Sequence, residues 1–141
     1  MTYIGNINTS KQKFLYFRTV ATDADDDASG DSALFPVSSL MGMQPTADAS
    51  LTLYFKSMVR GIPSGNEPDA DASFDNYDSV IVTIPVNTHL IAMRAIIEAI
   101  NNSSFPAMIV VANNDSGGTE YLNGSGITAC GTITVMARYA N

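Results

Sequence analysis

The chain has 141 residues and a formal net charge of −7, with 14 acidic against 7 basic side chains. Lys11, Lys13, Arg18, Lys56, Arg60, Arg94 and Arg138 are scattered, so no basic stripe exists to neutralise phosphates or an anionic lipid surface, and nucleic-acid and membrane partners are excluded on those grounds. A lone cysteine, Cys130, closes no internal disulfide and builds no thiolate metal cluster, which leaves packing to stabilise what the length predicts to be one domain over 1–141.

Charged residues make up 15% of the chain, against roughly 25% in ordinary soluble domains. Most acids fall in two loops, at about 22–32 and 61–77. Thr, Ser, Asn, Tyr, Met and Ala must cover the remaining surface, and such charge depletion marks the centre of protein interfaces. The first residues lack a basic segment followed by an apolar core, and no run nears the roughly 20 apolar residues of a membrane span. The expectation is a protein made and kept in a cytoplasm.

In chain order, Lys11 to Val20 reads as a strand. The acids Asp23, Asp25, Asp26, Asp27 and Asp31 then predict a solvated loop. Phe35 to Thr46 holds Pro36 and Pro45 among apolar residues and predicts a short strand or an irregular buried crossing. Leu51, Leu53, Phe55 and Val59 alternate with Thr52, Tyr54, Lys56 and Met58, the period-2 pattern of a half-buried strand. The segments Leu15-Tyr16-Phe17-Arg18-Thr19 and Leu53-Tyr54-Phe55-Lys56-Ser57 echo each other, as two similar strands would.

After the second acidic loop, Ser79 to Ile84 forms a strand closed by Pro85. A helix follows, capped by Asn87 or Thr88, with Leu90, Met93, Ile97 and Ile100 at helical spacing and a stripe wide enough to be largely covered. Asn102-Ser103-Ser104 and Pro106 stop it. Met108 to Ala112 is an apolar strand, Asn113 to Gly126 a Gly-rich hairpin, and Ile127 to Ala137 a final strand. Its alternation puts Ile127, Ala129, Ile133, Val135 and Ala137 on one face and Thr128, Cys130, Thr132, Thr134 and Met136 on the other.

The fold class is therefore α+β: a mainly antiparallel β-sheet with one main helix packed on one face. Its other face, lined by Thr52, Tyr54, Thr83, Thr128, Thr132 and Thr134, is suited to stacking on a neighbouring subunit. Thr52, Tyr54, Thr128, Thr132 and Thr134 are the candidate interface.

Catalytic chemistry finds little support. His89, the only histidine, sits in the first helical turn, and nothing in the sequence places it against Cys130. Read as a calcium loop, Asp23-Ala24-Asp25-Asp26-Asp27 fails at Ala28 and Leu34, and Asp69-Ala70-Asp71 fails at Phe74 and Val80. Gly117-Gly118 and Gly124-Ser125-Gly126 lack a following GK[ST] and a helix N-terminus. The expectation is no catalytic residue, no resident metal and no cofactor.

The order of segments resembles small proteins of marine cyanophages. It runs through the consecutive-Asp loop, Phe35-Pro36, Gly42, Pro45-Thr46, Leu51 to Lys56, Asp78-Ser79-Val80, Asn87-Thr88-His89, Tyr121-Leu122-Asn123-Gly124 and Ile133-Thr134-Val135, from about Phe14 to Val135. The resemblance implies a virion-associated protein and carries over no catalytic residue. Together with the surface composition it predicts a phage virion structural protein, a capsid-decorating or similar accessory subunit assembled in the host cytoplasm. Its partners are itself, as a homo-oligomer with a trimer favoured, and other virion proteins. The alternatives are a ligand-, carbohydrate- or Ca-binding module using Asp23 to Asp31 and Asp69 to Asp78, and a small enzyme built on His89, Cys130 or converging acids.

Overall fold

The computed structural model describes residues 12–58 and 77–135. Phe14–Arg18 (β1), Ser32–Pro36 (β2), Leu40–Ala47 (β3), Ser50–Lys56 (β4), Tyr77–Thr83 (β5), Met108–Asn113 (β6), Glu120–Tyr121 (β7) and Ala129–Thr134 (β8) are the strands, and His89–Asn101 (α1) is the helix. The α+β class with mainly sheet holds. The strands form two four-stranded sheets rather than one, ordered β2-β1-β6-β7 and β3-β4-β5-β8. Every pairing is antiparallel except β1 with β6, which runs parallel.

Alternation explains why the sheets meet. Leu15 and Phe17 on β1 and Phe35 on β2 face Leu51, Leu53 and Phe55 on β4, all with no exposed surface. Phe35 and Phe55 stack at 4.1 Å, and Phe17 meets both edge-on at 6.1 and 6.0 Å. The two echoing segments are thus opposed strands, one in each sheet, contributing the same Leu-x-Phe pair to one core.

Helix α1 touches β3 and β4 of one sheet and β6 of the other, so it packs across the seam between them. Its buried residues are Ala92, Ile96 and Ala99. This corrects the expected covering of the helix: Leu90, Ile91 and Ile97 are 63%, 52% and 43% exposed. The small alanines let the helix approach closely, and its core face is rotated by about one residue from the stripe drawn through the large side chains.

The helix ends are fixed by other parts of the chain. Thr88 is the N-cap, yet its hydroxyl donates to the Pro85 carbonyl and caps no helical amide, against expectation. At the C-terminus the Lys13 ammonium donates to the carbonyls of Ile100 (3.1 Å) and Asn102, meeting acceptors that the helix leaves open.

Two further expectations change. Leu40–Ala47 is a long, mostly exposed edge strand, where Pro45 is tolerated, rather than a buried crossing. In β8 the register slips at Gly131, because Ile81 opposes Thr132 while Val82 opposes Cys130. The bulge reverses the alternation and turns Cys130 inward beside Ile133, both buried. A Cβ at position 131 would lie 3.1 Å from the Ile81 carbonyl oxygen, so any residue but glycine would have to displace that carbonyl by a few tenths of an ångström. Val59, Met136 and Ala137 and the loop at 61–76 lie outside the described residues.

One side chain ties the sheets together beyond the core. Asn114 donates to the carbonyls of Thr19 (3.1 Å) and Cys130 (2.9 Å), and its Oδ1 accepts from the Cys130 amide (3.0 Å) and the Tyr121 hydroxyl (2.8 Å). It occupies the free edge of β8 as a neighbouring strand would.

Candidate functional site

The register of the second sheet assembles most of the expected interface. On its outer face one cross-strand row runs Gln44, Thr52, Ile81, Thr132, and the next runs Gly42, Tyr54, Ser79, Thr134. Four of the five candidate residues therefore share two adjacent rows. Thr128 belongs to neither row: it precedes β8 and, with the bulge lying between them, is out of phase with Thr132 and Thr134, so the expected grouping fails there, and its amide donates to the Thr83 carbonyl at 2.9 Å. Sequence reasoning missed Gln44, Ser79, Ile81 and Tyr77; the missing signal was strand pairing, which puts β5 between β4 and β8.

These side chains are not equally accessible. Thr52 is only 3% exposed, and its hydroxyl is 2.8 Å from that of Thr46, so it supports the face from within. The Tyr54 hydroxyl accepts from the Gln44 amide at 2.8 Å, and its ring meets Tyr77 edge-on at 5.7 Å. Thr132 and Thr134 are exposed. Among the described residues the only charged side chain on these rows and their flanks is Lys56, opposite Tyr77 at one end. The face combines apolar area with hydroxyl and amide groups and carries almost no charge that contact would have to desolvate.

Four of the five acids of the first loop are engaged within it or by β1 and β2 at its ends. Asp23 pairs with Arg18 at 3.0 Å, Asp25 accepts from Thr22, Asp26 accepts from Ser32, and Asp31 accepts from the amides of Asp27 and Ala28. Among the described residues no group of three His, Cys, Asp or Glu side chains is placed to hold a metal ion. The second acidic loop lies almost wholly outside the described residues.

His89 and Cys130 are each engaged elsewhere. The Nε2 of His89 lies 2.9 Å from the Ala47 carbonyl and 3.0 Å from that of Ser50, which pins the helix start to the β3–β4 turn as a donor. Cys130 is buried, and that burial pushes its thiol up to about 12, leaving it protonated and a poor nucleophile at neutral pH. Burial likewise raises Tyr121, with the nearby Cys130 adding to it.

No helix among the described residues is long and apolar enough to cross a membrane. Comparison with protein-family profiles, with curated proteins and with solved structures returned no match.

Proposed function

We propose that this chain is a structural subunit of a phage virion, an accessory or capsid-decorating protein that works by self-association and protein contacts and performs no chemistry. The observation that carries this reading is the outer face of the second sheet, two complete cross-strand rows of Thr, Ser, Tyr, Gln, Gly and Ile with Lys56 as the single charge at the margin among the described residues. The segment resemblance to small cyanophage proteins supplies the virion context. A closed homo-oligomer is the usual outcome for such surfaces, and within that class this reading favours a trimer.

Light scattering coupled to size exclusion tests the reading. The wild-type chain should run as a multimer, and Thr132→Arg, which places a charge at the centre of the face, should remain folded and lose mass. A wild-type monomer would remove the basis for the reading. Mass spectrometry of purified particles of the encoding phage tests the virion assignment separately.

A further inference from the structure

Helix α1 stands as a ridge with an apolar crest. Leu90, Ile91 and Ile97 are 63%, 52% and 43% exposed although the helix is anchored along its opposite side by Ala92, Ile96 and Ala99. Beside the ridge runs a groove of about 290 Å³, floored by Ala95 and Ala99 and walled on the far side by Phe105 and Leu122. Arg94 and Glu98 line the helical wall of that groove, both exposed. The described hydrogen bonds and ion pairs engage neither side chain.

We propose that α1 and this groove form a second self-interface, on which another copy of the chain docks with its own α1 antiparallel across a two-fold axis. The inference rests on the self-assembly reading above but uses a different surface. A two-fold contact presents the same patch twice and must be self-complementary, which a projection next to a recess that accepts it satisfies. The ridge and groove supply that pair. The charges select the direction: Arg94 and Glu98 lie one turn apart, and an antiparallel copy sets Arg94 against the partner's Glu98 and Glu98 against the partner's Arg94. Ile97 then falls near the axis. A parallel copy in register would oppose like charges. A 13-residue helix is about 20 Å long, which places the contact at the small end of specific interfaces and predicts a weak dimer.

A charge-swap experiment in a Thr132→Arg background, which removes the sheet-face contact, tests the proposal; Thr134→Arg serves if the first background folds poorly. Sedimentation equilibrium should find the background chain dimeric. Arg94→Glu and Glu98→Arg should each weaken that dimer by about 100-fold. An equimolar mixture of the two single variants should re-form a dimer, because each mixed pair then opposes Glu to Arg at both sites. The double variant Arg94→Glu/Glu98→Arg should recover as well. Circular dichroism confirms that each exposed substitution leaves the fold intact.

A monomeric background overturns the helix proposal and leaves the sheet-face reading standing. If Thr132→Arg leaves the wild-type mass unchanged while charge reversal abolishes association, the sheet-face reading falls and the helix proposal stands. Recovery in the double variant without recovery in the mixture would assign the two charges to a pair within one helix and overturn the proposal.

Discussion

At the scale of single residues, Ile96 and Ile97 are adjacent in sequence and opposite in role. Ile96 has no exposed surface, whereas Ile97 is 43% exposed. Ile96→Asp should cost about 4 kcal/mol or prevent folding, because it buries an uncompensated carboxylate. Ile97→Asp should cost less than about 1 kcal/mol when measured at a concentration too low for the helix contact to form. Denaturant melts of the two variants check the assignment. A sequence reading that follows the largest side chains selects Ile97, since nothing local reveals that the close approach of α1 to the sheets rewards alanine.

Cys130 gives a pH-dependent prediction. Its thiol is raised from 9.0 to about 12, so the folded state holds the proton more tightly than the unfolded state does. This contribution to stability is complete below about pH 9 and is lost as pH rises toward about 12, by up to about 1.4 kcal/mol per pH unit. Tyr121, raised from 10.0, acts in the same direction. Urea titrations between pH 8 and 11 should show this fall, and Cys130→Ala should flatten much of it. Native Cys130 should also resist thiol reagents at pH 8 until the chain unfolds.

Among the secondary elements, β8 and α1 depend on residues that strand and helix patterns do not reveal. Gly131→Ala pushes a methyl group toward the Ile81 carbonyl, and it should cost about 1–3 kcal/mol in thermal unfolding while weakening β8 most. Lys13→Met removes the donor shared by the last carbonyls of α1 and should cost about 1 kcal/mol, with faster amide exchange confined to the last turn of the helix. The alternation of Leu51, Leu53 and Phe55 was legible because β4 has no bulge in its pairing with β5. The same reasoning misassigned Ala129 and Cys130, because one extra residue in a strand inverts every side chain beyond it. Thr132 and Thr134 kept their expected orientation because they follow the bulge in phase with each other.

For the whole molecule, the aromatic stack across the sheets predicts cooperative unfolding. Phe55→Ala removes a ring packed against both Phe17 and Phe35 and should cost about 3–5 kcal/mol. Tertiary and secondary signals should still be lost in one transition, because α1 and Asn114 join the two sheets outside that stack. The division into two sheets was not legible in the sequence. It depends on β1 pairing with β6 rather than with β4, the strand whose sequence it echoes. The candidate face was partly legible, since alternation marked its threonines, but the rows that join them exist only once β5 lies between β4 and β8.

The parallel pairing of β1 with β6 also orders events during synthesis. Strands β3 and β4 pair through a tight turn as soon as they emerge, whereas β1, paired early with β2, waits for the partner of its other edge; Asn114, which secures its end, is 95 residues from Thr19. Until then β1 has only β2 beside it, and the nascent chain carries an unpaired edge next to Leu15 and Phe17 until residue 113 has been made. Folding dominated by so distant a contact is slow. Chains stalled before residue 108 should therefore be the species most prone to chaperone capture and aggregation.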